Sequence, residues 1–578
     1  MELDLRFNSE IDKILNKEFN TVSSNCRHEF NEFVSSVSEG FEENIDWWVS
    51  SAPSRNTYAS PLFHYFCSIK FLSKTLDENS YKISVILVDS KELKILISKI
   101  LLKNSQKNIE ILYKPAAFVY FKRAMKKFFY YELNYLYRLI RLLAANLIKF
   151  FIPISIPLKP IALIDTFIYK EYLNVDRWYG VLWDKLNEQQ REDIFFVPSI
   201  INTGLIGVFP LLYSIKKLEK NTILKDDYIN IRDINFAYFH KYRLNKLNIN
   251  ASYLGMDLSK LVKEDITNFR DVDSIFESLI TFRFMYQLKR RGVEIRLAYD
   301  WFEGHSLDKA WNLGLKIFHQ KTKRVGYRAF FKGYPYYLST YPIRAESLAG
   351  VLPDLFAVPG KGSLEDIREF YPSLKATVIP AFKASYIWEW VYRDKLDRAI
   401  LVTLPISIKT SARIIINLIE ASNLMSEDNS FIAFVLKAHP TIKIKDIKKE
   451  LKFNIPINFT FTEENSFPVM LLQCSILITE ASSTSLEALA CGISVVIIEN
   501  ENGLTYDSIP SDVPQNMYKK VKGPSQIHSA IKGFIAASIE DQVQQNKLAQ
   551  IIRDRYFEPV SEESLNNFLN LEKNTKET

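Results

Sequence analysis

Cysteine is scarce in this chain. Cys26, Cys67, Cys474 and Cys491 are the only four in 578 residues. They are too few and too scattered for a disulfide framework, and no Cys/His cluster has metal-ligand spacing. The 17 glycines are few for this length, and they form neither a phosphate-loop nor a dinucleotide fingerprint. No stretch of 18 or more residues is cleanly apolar. The nearest, residues 139–158, carries Arg141, Asn146 and Lys149 and is interrupted by Pro153 and Pro157. One cation at a bilayer centre costs about 2.5–3.5 kcal/mol on insertion scales, so no spanning helix is expected. The opening residues, Met1-Glu2-Leu3-Asp4-Leu5-Arg6, lack the basic-then-apolar pattern of a signal peptide. These absences predict a reducing, cytoplasmic setting.

What is present is ordinary globular material. Apolar residues are 47% and charged residues 24%, with 40 Phe and 30 Tyr to fill large cores. That excludes a disordered, collagen-like or coiled-coil chain, and the length suggests two large domains or three. The net charge of +7 is concentrated. Residues 114–160 hold nine cations (Lys114, Lys122, Arg123, Lys126, Lys127, Arg138, Arg141, Lys149 and Lys159) against one anion, Glu132. This segment is therefore +8, and the rest of the chain sums to −1. Its cations are interleaved with aromatic residues and leucines, which suits a helix lying on an anionic membrane surface. The alternative is a core helix with a solvated basic face. Nucleic acid is not expected, because the remainder is slightly acidic and carries no binding motif.

Short apolar runs alternate with helical patterns along most of the chain. Residues 81–90, 161–169, 193–201, 293–299, 324–330, 354–358 and 376–380 read as buried strands, and the basic segment reads as an insertion between two strands of one sheet. Beyond residue 382 the alternation is clearer. Strands are expected at 399–404, 431–436, 457–461, 475–479 and 493–498, with helices at 411–421, 442–451 and 485–490. The fold class is α/β, with two facing Rossmann-like, doubly wound domains. The N-terminal domain spans 1–382 and includes the basic insertion 114–160. A linker at 383–397 leads to a nucleotide-binding domain at 398–556, and 557–578 is a polar tail.

Three places carry chemistry. In the stretch from Ile478 to Gly492 a strand ends, four hydroxyl residues follow (Ser482, Ser483, Thr484, Ser485), and a helix begins. Exposed backbone N–H groups and hydroxyls suit a phosphate. Glu487, one turn in, is placed to accept from ribose hydroxyls. A single residue would suffice if capping were the only role. At Leu436-Lys437-Ala438-His439-Pro440 another strand ends on a Lys and a His, both suited to a phosphate. At Tyr299-Asp300-Trp301-Phe302-Glu303-Gly304-His305 a strand leads into an acidic loop. A carboxylate there could deprotonate an acceptor hydroxyl or act as a nucleophile.

The pair formed by Lys437-Ala438-His439-Pro440 and Ser482-Ser483-Thr484 resembles the His-Pro and Ser-Ser/Thr motifs of bacterial CMP-sugar transferases. These are the sialyltransferases and Kdo transferases of capsule and O-antigen synthesis. The likeness covers roughly residues 395–510 and implies the GT-B architecture. It implies that His439 and Pro440 contact the phosphate side of the cytidine nucleotide, and that Ser482, Ser483 and Thr484 hold the phosphate. Glu303-Gly304 matches the end of the acidic sialyltransferase motif, with Phe302 where a second acid would stand. Teichoic-acid polymerases and UDP-sugar enzymes have related loops.

Weaker candidates are Gly326-Tyr327-Arg328 with Tyr334-Pro335-Tyr336-Tyr337 for glycan contact, and Lys361 in Val358-Pro359-Gly360-Lys361-Gly362 near the donor phosphate. Residues 499–506 are candidates for reaching the donor sugar. The catalytic residues expected are Glu303, Asp300 and His305, and the donor-binding residues are Lys437, His439, Pro440, Ser482, Ser483, Thr484, Glu487 and Lys361. The expected activity is a metal-independent, cofactor-free glycosyltransferase on the inner face of the cytoplasmic membrane. It would use a nucleotide sugar, CMP-activated, and a glycan or lipid-linked glycan acceptor. The alternatives are a CDP-polyol phosphotransferase, a non-catalytic glycan-binding scaffold of polysaccharide export, and a sugar-nucleotide epimerase.

Overall fold

A computed structural model describes residues 1–571, apart from positions 8, 10, 78–81, 107, 115–116, 155, 169–172, 174–175, 201–203, 269–271, 333–335, 391–398, 427–431, 465, 481 and 500–507. Three parallel sheets organise the chain. The first is small: β1 (Glu2–Asp4), β2 (Val85–Val88) and β3 (Glu110–Tyr113), in the order β1-β2-β3. The helices Lys13–Ser38, Leu62–Asp77 and Lys91–Lys103 belong to this part of the chain. Trp47 and Trp48 are fully buried in the core it shares with residues 223–351.

The second sheet has six strands: β4 (Ile161–Ile168) and β5 (Ile194–Ile200), then, after the hairpin of β6 (Ser252–Tyr253) and β7 (Met256–Asp257), β8 (Ile295–Trp301), β9 (Lys323–Tyr327), β10 (Leu355–Val358) and β11 (Ala376–Val378). Its order is β11-β10-β9-β8-β4-β5, all parallel. The chain starts in β4, steps one way to β5, and then returns past β4 to β8, so the order reverses between β4 and β8. The third sheet holds β12 (Ile400–Thr403), β13 (Phe434–Lys437), β14 (Phe459–Phe461), β15 (Ile476–Thr479), β16 (Ser494–Ile498) and β17 (Tyr518–Val521). Its order is β14-β13-β12-β15-β16-β17, again all parallel. This is the doubly wound 3-2-1-4-5-6 arrangement, reversing between β12 and β15. β15 and β16 are buried along their whole lengths, as strands covered by helices on both faces must be.

Three expectations need correction. The strand expected at 81–90 forms as β2, but in the small sheet rather than beside β4. The basic segment therefore connects two sheets instead of interrupting one. An apolar run announces a strand and says nothing of its partner.

Second, the described part of 557–578, up to residue 571, is not a polar tail. After the helix Ile539–Tyr556 the chain crosses back, and the helix Glu562–Leu569 docks on the second sheet. Leu565, Phe568, Leu569 and Leu571 are buried there beside Tyr299 and Tyr327, with Phe568 stacked 4.2 Å from the Tyr299 ring.

Third, the basic segment does not keep all its cations outside. Most of it is one 35-residue helix, Ala117–Phe151. Arg138 and Arg141 point inward. Arg138 pairs with Glu277 (2.5 Å) and Asp273 (2.7 Å), and Arg141 pairs with Asp226 (2.5 Å). Lys225 joins Glu277 from another side at 2.6 Å. Among the described residues no helix is long and apolar enough to cross a membrane.

Candidate functional site

Ligands of doubly wound sheets bind where the strand order reverses, outside the carboxyl ends of the strands. In the second sheet that point is flanked by the loop after β4, which carries Arg177, and the loop after β8, which carries Glu303 and His305. In the third it is flanked by the turn after β15, and the His-Pro turn follows β13, one strand from that point. These regions approach one another. The charge of Arg177 acts on both Lys437 and His439, and Lys383 of the connecting segment acts on both Glu303 and Glu487.

On the acidic side, β8 runs two residues further than expected, to Trp301. Asp300 is therefore a strand residue, fully buried, accepting a 2.5 Å hydrogen bond from Asn312 Nδ2. Burial, and next the nearby Asp308 carboxylate, push its pKa well above the usual carboxylate range. It is a group of the interior and does not face a cleft.

Glu303 is different. Its side chain is about one-third exposed. It accepts from Trp301 Nε1 at 2.9 Å and sits 3.0 Å from His305 Nε2. The Tyr337 hydroxyl meets the same His305 nitrogen at 2.9 Å. Burial alone would raise the Glu303 pKa, but the His305 contact, the Trp301 bond and the Lys383 charge overcome it and hold it below normal.

Two features fix this loop. The Asp308 carboxylate accepts the backbone N–H groups of Glu303 and His305, both at 2.9 Å. Gly304, at φ +72°, passes so close to the Ser339 carbonyl that a Cβ would sit 1.7 Å from its oxygen. Only glycine allows that approach, which carries Glu303 and His305 around the same tight turn.

On the opposite side, Lys437 and His439 stand half-buried at the end of β13, and Pro440 is exposed in the turn beyond them. Burial, and next Arg177, lower the His439 pKa, leaving a neutral imidazole whose Nδ1 contacts the Thr441 hydroxyl at 2.7 Å. Burial likewise lowers Lys437. Arg177 is the residue missed in the sequence. It is carried on a turn in which Asp176 accepts the N–H groups of Trp178 and Tyr179, both at 2.9 Å. An Arg set among aromatics just after a strand was the available signal.

The hydroxyl turn divides its labour. Ser485 is buried and donates to the Ser482 carbonyl at 2.6 Å, so it locks the turn. Ser508 donates to the same carbonyl at 2.9 Å. Ser482, Ser483 and Thr484 stay half-exposed, with Thr484 Oγ1 donating to Ser482 Oγ at 2.8 Å. The helix behind them, Thr484–Ala490, has only seven residues, so the hydroxyls and neighbouring cations matter more here than a helix dipole.

Other expected residues are otherwise engaged. Glu487 is buried and accepts from the Tyr386 hydroxyl at 2.9 Å, tying the connecting segment to the third sheet. Lys361 is exposed, and the glycines beside it serve packing. A Cβ on Gly360 would meet the Tyr556 backbone at 2.2 Å, and one on Gly362 the Tyr556 ring at 2.3 Å. Arg328 is fully buried and paired with Asp366, so it does not present itself to a glycan. Tyr334, Pro335 and residues 500–506 lie outside the described residues.

A scan of protein-family models and a search of curated proteins find no match to this chain. Solved structures do resemble it. A Staphylococcus aureus MnaA structure with UDP is 13% identical with a TM-score of 0.42, covering 71% of this chain and 95% of its own. A UDP-GlcNAc 2-epimerase from Neisseria meningitidis bound to UDP-GlcNAc is 14% identical with a TM-score of 0.40, covering 71% and 98%. A UDP-forming α,α-trehalose-phosphate synthase from Burkholderia xenovorans with glucose-6-phosphate is 9% identical with a TM-score of 0.42, covering 72% and 100%. At this level the likeness says nothing of substrate or reaction.

Proposed function

We propose that this chain is a glycosyltransferase of GT-B type. It transfers a sugar from a CMP-activated donor to a glycan or lipid-linked glycan acceptor of a bacterial surface polysaccharide. The observation that carries the reading is the pairing of opposites at the two reversal points. A carboxylate held below its usual pKa by His305 and Trp301 stands at the second sheet, where Arg177 faces Lys437 and His439 of the third sheet, and the turn after β15 carries the half-exposed hydroxyls of Ser482, Ser483 and Thr484.

In the reaction the acceptor oxygen attacks the anomeric carbon and gives its proton to Glu303. The bond from that carbon to the donor phosphate breaks, and the electron pair leaves with CMP. The negative charge of the departing phosphate falls among Arg177, Lys437 and His439 and the hydroxyls of Ser482, Ser483 and Thr484. His305 holds Glu303 ionised before the step, and Tyr337 holds His305.

The test has two arms. Thermal shift with CMP, CDP, UDP and GDP is expected to give stabilisation by CMP that His439→Ala removes; a response to UDP alone would overturn the CMP assignment. With a CMP-sugar, Glu303→Gln should lower turnover by about 10²–10⁴-fold, while Asp300→Asn, at a fully buried position, keeps it. The reverse pattern would move the base to Asp300.

A further inference from the structure

From Leu133 to Phe151 the long helix has seven exposed positions. Six are Leu133, Leu136, Leu143, Leu147, Phe150 and Phe151, between 49% and 86% exposed, and the seventh is Asn146. At 100° per residue the six fall within an arc of about 100° and run for about 27 Å along the axis. An ordinary surface helix turns such a stripe inward. Here the opposite face, with Arg138 and Arg141, is the buried one. The exposed apolar surface continues past the helix to Leu158, which is 99% exposed.

The geometry points to this stripe as a docking face for an anionic lipid bilayer, with the helix lying in the interface plane. Charge decides the occupant. With Arg138 and Arg141 internal, residues 114–160 still contribute seven cations. Their one acid, Glu132, is tied to Lys241 and to the Tyr238 hydroxyl, each at 3.0 Å. Two copies meeting stripe to stripe would bring two such cationic segments together, whereas anionic headgroups neutralise them. An apolar stripe on a helix too polar to span, in a segment of net positive charge, is the pattern of interfacial binding. This inference is independent of the cleft and its chemistry.

The test is flotation of the full chain with vesicles of phosphatidylcholine containing phosphatidylglycerol, against phosphatidylcholine alone. Binding to the anionic vesicles is expected, weakening with salt. The double variant Leu143→Asp/Leu147→Asp should lower the partition by at least about 30-fold. Both positions are exposed, so its circular dichroism and melting temperature should match the parent. Failure of the parent to float with anionic vesicles would overturn the proposal, as would undiminished flotation of the variant. A parent that ignores lipid and sediments as a dimer, which the variant breaks, would assign the stripe to a second copy instead.

Discussion

Replacing Glu277 by Gln keeps the volume of the side chain and removes its charge from the centre of a buried network. The carboxylate lies 2.6 Å from Lys225 Nζ and 2.5 Å from Arg138 Nη1, with Arg141 Nη1 at 3.8 Å. Burial by itself would raise its pKa; the charges of Lys225, Arg138 and Arg141 hold it well below the usual range. In the variant Arg138 keeps Asp273 and Arg141 keeps Asp226. Lys225 keeps only the hydroxyls of Ser199 (2.7 Å) and Thr281 (2.9 Å) and the field of Asp165.

Stranding a buried cation costs about 3–5 kcal/mol. Asp165, which burial now pushes toward its protonated form, ionises more easily once the Glu277 charge is gone. The expected cost is therefore at the low end, about 3 kcal/mol, which makes detachment of the long helix about 100-fold more frequent. Hydrogen exchange of peptides covering residues 131–149, followed by mass spectrometry, reads this directly. The control is Asp273→Asn. Its side chain is 53% exposed, so the loss should stay below about 1 kcal/mol. Equal exchange in the two variants, or less than about a fivefold change in Glu277→Gln, would refute the reasoning.

Three further outcomes are expected. Gly304→Ala forces a Cβ against the Ser339 carbonyl at positive φ, so turnover should collapse and the melting temperature fall; full activity would mean the loop need not hold this path. His439 is neutral at pH 7 because burial, and next Arg177, lower its pKa. Its protonation adds positive charge only as the pH drops below the ordinary His value of about 6.5. Calorimetric affinity for CMP should therefore rise on acidification in the parent and stay flatter in His439→Ala; parallel curves would remove His439 from the phosphate site. Phe568→Ala empties a fully buried position stacked on Tyr299, and urea unfolding should report a loss of about 3–5 kcal/mol. The exposed neighbour Asn567→Ala should change stability by less than about 0.5 kcal/mol.

The strands of the third sheet were legible because most are continuous apolar runs ending on turn residues. β17 escaped notice because its sequence, YKKV, buries only its two ends and exposes both lysines, as a charged edge strand does. At the acidic loop the carboxylates were legible and the burial that separates them was not. Asp300 and Glu303 are both carboxylates near a strand end, and nothing local says that the strand runs to Trp301. Arg177 went unread because the residues on which its charge acts, Lys437 and His439, come some 260 residues later.

The sequence by itself determined the α/β class, the positions of the His-Pro and hydroxyl turns, and the amphipathic character of the long helix. These depend on periodicity and turn chemistry within a few residues. Only the tertiary structure decided which strands share a sheet, that the last helix returns to cover Tyr299, and which face of the long helix is inside. On that helix the sequence sets arginines against leucines and leaves both orientations open. Glu277, Asp226 and Asp273, far along the chain, draw Arg138 and Arg141 inward, and Leu133, Leu136, Leu143 and Leu147, on the opposite face, are left outside.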